Sequence, residues 1–298
     1  MRSAFQVYVV PAVFVWLWST GFIGAKYGLP YAEPFTLLLY RMLFTLALLG
    51  VLALVLKVTW PSWRGAGHTA VTGLLVHGCY LGGVYYAIQG GMPSGITSLI
   101  VGLQPLVTAL AAVVILRESI TLRQWVGLSL GLLGVSLVLM EKLGGGPGIA
   151  GFPLWTLGWA MLSLLGISVG TVYQKRHGAN VNLVAGTFIQ YSAASVFFAI
   201  GAFALETREV VWDIQLQLSM AWLVFGVSIG AILLLMLLIR RGAASQVASL
   251  FYLVPPVTAL QAFWLFDERL GVLAIAGGVV SITGVAFAVT GRKQPAHT

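Results

Sequence analysis

Arg41 is the one charge set deep inside an apolar stretch, 33–56, about two turns or ~12 Å from its end. At that depth an ionisable side chain is by default a functional-site hypothesis. It can meet a solute carboxylate, pair with Glu33, Asp267 or Glu268 as part of an outer gate, or snorkel outward with hydrogen bonds to broken-helix carbonyls. The structural or gating role is preferred, because the residue 149 positions on, Gln190, is neutral. His77 can titrate in a physiological range, but a lone histidine among apolar neighbours is more often a packing residue. No Asp or Glu occupies the central third of any apolar stretch, where a proton-coupled pump usually holds one. Passive or exchange-type movement of neutral or zwitterionic solutes is therefore expected.

Uncharged polar and aromatic residues fall in stripes along other apolar segments. Ser245, Ser249, Tyr252 and Pro256 share one helical face, as do Ser94, Ser98, Val101, Pro105 and Thr108. Gly78, Gly82, Tyr85 and Gln89 form a third stripe, with His77 and Tyr80 at its edge. Trp16, Ser19 and Thr20, with Trp159 and Ser163, complete a candidate ring around a solute. Two other roles compete with that one: Ser and Thr can merely bond their own helix carbonyls, and Tyr and Trp can form interface belts. Belts are the expectation for Trp60, Trp63, Trp155 and Trp212. Pro105 and the pair Pro255-Pro256 each interrupt an apolar segment; the freed carbonyls must face protein or water, so these prolines read as bends for gating or as static kinks.

The elements that must position these residues follow from composition. Of 298 residues, 59% are hydrophobic and only 8% charged, against about 25% charged in soluble proteins. Ten stretches have the ~20 apolar residues a spanning helix needs: 5–27, 33–56, 68–90, 94–116, 121–140, 153–174, 181–205, 217–239, 243–266 and 271–290. The first is too long for a signal peptide and reads as a membrane helix. The fold class expected is an all-α integral membrane protein of ten transmembrane helices.

The chain is also written twice. Pro105, Thr108, Ala109, Leu110, Glu118, Gly127 and Gly134 recur at an offset of 150 as Pro255, Thr258, Ala259, Leu260, Glu268, Gly277 and Gly284. Five helices per copy is an odd number, so the copies, 1–143 and 152–298, must be inverted relative to each other, with the solute site where they meet. Placing both termini in the cytoplasm puts Arg2, Lys57, Arg64, Arg117, Arg123, Lys175, Arg176, Arg240, Arg241, Arg292 and Lys293 inside, against Lys26, Lys142, Arg208 and Arg269 outside. That is the positive-inside pattern. Glycines at four-residue spacing, such as Gly127 and Gly131, point to close packing inside the bundle.

With these features the chain resembles the EamA-type branch of the drug/metabolite transporter superfamily. The residues that carry the likeness are Trp16-Leu17-Trp18-Ser19-Thr20-Gly21, Lys26-Tyr27-Gly28, Arg41, and the paired segments Pro105…Leu116-Arg117-Glu118 and Pro255…Phe266-Asp267-Glu268. The resemblance implies a bacterial inner-membrane exporter of amino acids and related metabolites, resembling the YddG-type aromatic amino acid exporters. It also implies a central cavity lined by helices one, three, four, six, eight and nine, with five and ten peripheral.

No metal-ligand spacing, phosphate-cradling loop or ATP motif supports an enzyme, and no cofactor is called for. The single cysteine, Cys79, excludes a disulfide framework. The pI near 9.8 reflects loop lysines and arginines rather than a nucleic-acid patch. The partners expected are a small-molecule substrate and membrane lipid, with the chain monomeric and a dimer left open.

Overall fold

Apolar runs of this length satisfy their backbone groups internally, and they fold as helices. The computed structural model describes residues 9–92, 97, 100–143, 153–241, 244–266 and 272–290. Its helices are α1 (Val10–Gly28), α2 (Pro34–Val55), α3 (Trp63–Gln89), α4 (Gln104–Leu116), α5 (Leu122–Leu143), α6 (Leu154–His177), α7 (Leu183–Leu205), α8 (Ile214–Arg241), α9 (244–266) and α10 (Val272–Thr290). Of these, α2, α3, α6, α7 and α8 are long and apolar enough to cross a membrane by length and composition. The helices α1, α4, α9 and α10 carry shorter apolar runs.

The helix starts have local causes. Asn182 accepts hydrogen bonds from Val184 N (3.0 Å) and Ala185 N (3.2 Å) at the head of α7, and Asp213 accepts from Gln215 N (2.8 Å) at the head of α8. Pro105 does not kink a continuous helix. It sits in the first turn of α4, which begins at Gln104 after a turn at Leu103, where its missing N–H costs nothing. In α9 a 3-10 segment, Leu250–Leu253, precedes a fresh helix, Val254–Phe266, whose first turn holds Pro255 and Pro256. The two restarts have the same length and lie 150 residues apart.

Two helices depart from α geometry in the middle. Leu74–Cys79 in α3 and Leu223–Ala231 in α8 are π-helical, and their starts are 149 residues apart. Such wide turns are frequently found at functional sites. Composition and periodicity carried no sign of them.

Glycine sets the closest packing. A Cβ on Gly127 would stand 2.6 Å from Gly284 O and Ala288 N, and one on Gly134 2.5 Å from Gly277 O. Residue numbers rise along α5 as they fall along α10, so the two helices are antiparallel and meet face to face. The same crossing joins α2 to α7, where Phe35 packs on Gly201 and Gly50 on Phe188. A Cβ on Gly83 would stand 2.8 Å from Ser163 Cβ, and one on Gly166 2.7 Å from Leu75 O, so α3 and α6 are equally close. Large apolar side chains cover the outside: Leu54, Val114, Phe203 and Leu218 are exposed, as lipid-facing residues would be. Trp60, Trp63, Trp155 and Trp212 are also exposed.

Candidate functional site

The buried polar residues converge where α2, α3, α7 and α8 cross. Arg41 projects from the second turn of α2 and is 2% exposed. It does not snorkel: its Nε donates to Ser228 Oγ at 2.9 Å, in the π-segment of α8. The guanidinium lies within electrostatic range of His77, Tyr80, Tyr85 and Tyr191. The His77 ring packs on Tyr191 with centroids 4.5 Å apart. Gln190 donates to Gln174 Oε1 at 3.0 Å.

Several polar atoms here are buried without a hydrogen bond of good geometry: both ring nitrogens of His77, beside Gln190, Tyr85 Oη, beside the Arg41 guanidinium, and Gln190 Oε1; Ser163 Oγ, likewise buried and unsatisfied, lies apart, against Gly83 of α3. Buried polar groups are normally satisfied, so a cluster of this kind has capacity for a polar guest. An aromatic wall flanks it. Trp18 stacks on Tyr80 at 6.0 Å and meets Phe14 and Phe251 edge-on or tilted at 5.4 and 5.1 Å.

The ring inferred from sequence is only partly assembled here. His77, Tyr80 and Tyr85 enter the Arg41 group. Trp16 does not; it is 40% exposed and packs on Trp264 at 5.7 Å, while its neighbour but one, Trp18, points inward. Thr20 faces α8, donating to Leu17 O (2.6 Å) and accepting from Trp222 Nε1 (2.8 Å). Ser19 is buried, donates to Val15 O at 2.8 Å and comes within 3.4 Å of Val254 O, where α9 restarts. Gln89 is exposed at the end of α3. Trp159 belongs to a separate aromatic group with Tyr86 (4.9 Å) and Phe35 (5.9 Å). Ser249 and Tyr252 are buried, but the Tyr252 ring packs on Gly131 of α5 rather than beside Arg41. Ser98, like Asp267 and Glu268, lies outside the described residues, as do the side chains of Ser245 and Pro255.

Glu33 does not pair with Arg41. Its carboxylate accepts from Thr207 N (2.7 Å), Thr207 Oγ1 (2.8 Å) and Arg208 N (3.0 Å). Glu206, 8% exposed, accepts in return from Phe35 N, Thr36 N and Thr36 Oγ1, each at 2.7 Å. Those amides open α2, and a carboxylate there satisfies orphan donors and complements the helix dipole. A bridge between Ala32 and Val210 ties the same two loops. This reciprocal clasp joins residues 170 or more apart in sequence, and no local pattern could have announced it. Gln190 and Ser228 were accessible in principle, as the repeat equivalents of Arg41 and Cys79.

Elsewhere, a recess of about 460 Å³ is lined by Val114, Ile115, Leu116, Arg117 and Arg176. No group of His, Cys, Asp and Glu able to hold a metal occurs among the described residues.

Comparison with known proteins adds identity to this geometry. The EamA-like transporter family matches residues 7–140 and again 154–290. The chain is 28% identical to Uncharacterized transporter YvbV of Bacillus subtilis (strain 168) over 290 residues, 95% of this chain and 91% of that one. It is 27% identical to the Probable amino-acid metabolite efflux pump of Escherichia coli (strain K12) over 297 residues, 96% and 95% of the two chains. One crystal structure shares its fold, with a TM-score of 0.76 at 21% identity over 97% of each chain. Two successive matches spanning nearly all of it mean that the chain belongs to the EamA-like transporter family and is a multi-pass protein of the bacterial inner membrane.

Proposed function

We propose that this protein exports amino acids or related small metabolites across the inner membrane by alternating access, without chemistry on its cargo. On this reading ten helices span the bilayer as two inverted five-helix repeats, 1–143 and 152–298, with both termini cytoplasmic. The antiparallel crossings of α2 with α7 and of α5 with α10 support the inversion, because each joins equivalent helices of the two copies. The observation that carries the function is the Arg41 group: a charged, polar and aromatic cluster, supplied by both copies, buried at their meeting place. The amino-acid cargo rests on the relatives named as amino-acid metabolite efflux pumps in Escherichia coli and Salmonella typhimurium.

The moving parts follow from where the helices are irregular. Wide π-turns in α3 and α8, and the proline restarts of α4 and α9, occupy equivalent places in the two copies. They are the points where one copy rocks against the other. With this topology the Glu33–Glu206 clasp seals the outer ends of α2 and α7. Opening outward then requires those loops to part or to move as one body. The working unit is a single chain.

Counterflow in proteoliposomes tests this reading. Labelled phenylalanine exchanging against an unlabelled internal pool is the expected result. Flux of aromatic cations alone identifies a drug exporter, and no flux with any solute identifies a membrane protein that does not transport. Accumulation against a gradient driven by a pH difference contradicts the passive mechanism.

A further inference from the structure

The Arg41 group has a charge count that constrains its guest. Arg41 is buried, and among the described residues no carboxylate pairs with it: Glu33 and Glu206 are committed to the clasp. A buried guanidinium with no carboxylate partner carries a desolvation cost that neutral hydroxyls alone, Ser228 Oγ at 2.9 Å with those of Tyr85 and Tyr191 close by, do not offset. Neutral His77, through the one ring nitrogen that carries a proton, and the Tyr85 hydroxyl beside the guanidinium are buried and can each donate one hydrogen bond next to that charge. One fixed positive charge with neutral donors around it is the complement of a single negative charge. A dianion would leave net negative charge in a low-dielectric site. An ammonium would meet only like charge, with Gln190 Oε1 as an unpartnered acceptor. The adjoining wall of Trp18, Tyr80, Phe14 and Phe251 suits an apolar or aromatic body.

We propose that the Arg41 group is a monocarboxylate site: it holds the solute by its carboxylate, treats the α-ammonium as dispensable, and rejects decarboxylated amines. This deepens the transport reading and rests on taking the Arg41 group as the solute site. The guanidinium fork supplies paired donors to the carboxylate, and Tyr85 and His77 complete its shell. A deaminated acid leaves the site neutral, whereas an amino acid keeps an ammonium near the guanidinium. The acid therefore binds at least as tightly as the amino acid.

The test is thermal stabilisation of the detergent-purified full chain by sodium 3-phenylpropionate, L-phenylalanine and phenethylamine at equal ionic strength. Phenylpropionate and phenylalanine are expected to raise the melting temperature, in that order of potency, and phenethylamine to leave it unchanged. Arg41→Gln, which installs the residue of the other repeat, should weaken both acids about 10- to 100-fold, the loss of a charge-assisted hydrogen-bond set. Arg41→Lys keeps the charge but not the fork and should fall between. Stabilisation by phenethylamine equal to that by the acids, no stabilisation by any of the three, or undiminished acid binding by a folded Arg41→Gln overturns the proposal. Should Arg41→Gln not fold, the wild-type ladder and Arg41→Lys decide. Counterflow separates the two readings: binding in the expected order without flux removes transport and leaves the site, whereas flux of phenylalanine with phenylpropionate excluded does the reverse.

Discussion

The reciprocal clasp makes an unequal prediction about two glutamates that look alike in sequence. Glu206 is buried and takes three hydrogen bonds at 2.7 Å, two of them from backbone amides at the head of α2. Replacing it by Ala strands two buried N–H groups and a hydroxyl, each worth ~1–3 kcal/mol when unsatisfied. Partial relaxation brings the total to about 3–5 kcal/mol, the range seen when one partner of a buried charged contact is removed. Glu206→Gln keeps one acceptor oxygen and loses the charge, so about 2 kcal/mol is expected. Glu33 makes as many hydrogen bonds, but its contacts lie at the exposed edge of the clasp. Water replaces part of what Glu33→Ala removes, and the cost is about 1 kcal/mol. In detergent, with a melting shift of roughly 2–4 °C per kcal/mol for large domains, Glu206→Ala should melt on the order of 6–20 °C below wild type and Glu33→Ala only ~2–4 °C below. Thermal unfolding followed by tryptophan fluorescence measures both. Equal losses for the two alanine variants, or a greater loss for Glu33→Ala, refute the burial argument.

Glycine packing supplies a paired test: Gly127→Ala puts a methyl group 2.6 Å from the α10 backbone and should cost about 1–3 kcal/mol by overpacking, while Gly67→Ala, with nothing within 4 Å, should be neutral or gain up to ~1 kcal/mol of helix propensity. Melting temperatures of the two variants check this, and an equal response contradicts it. Topology is checked by cysteine labelling in a Cys79→Ser background. Val211→Cys should react with an impermeant maleimide added outside and Trp63→Cys only after permeabilisation; both are exposed loop or helix-end positions, and labelling from the same side rejects the inverted arrangement.

Much of the helical frame was legible. Apolar runs longer than a bilayer is thick became helices, and the prolines marked breaks because a missing N–H is tolerated in a first turn. Their exact form was not legible: Pro105 and Pro255 begin new helices rather than bending old ones. The glycine faces of α5 and α10 were visible as four-residue spacings, and they meet each other as small residues in lipid do. Arg41 announced itself by depth alone. Its partners did not, because Ser228 and Tyr191 come from other helices and look like ordinary members of apolar runs.

Composition and the doubled pattern determined that this chain is a bundle of apolar helices built from two similar halves, since only helices satisfy so many backbone groups away from water. Which face of each helix turns inward was decided by tertiary structure. In water an apolar stripe tells inside from outside; in lipid both faces are apolar and the stripe vanishes. Trp16 and Trp18 are the same residue type two positions apart, one 40% exposed and the other 5%. Only packing against Tyr80 and Phe251 separates them. The clasp and the π-turns likewise exist only once distant segments meet, because their hydrogen bonds and widened turns answer to neighbours that no local stretch of sequence contains.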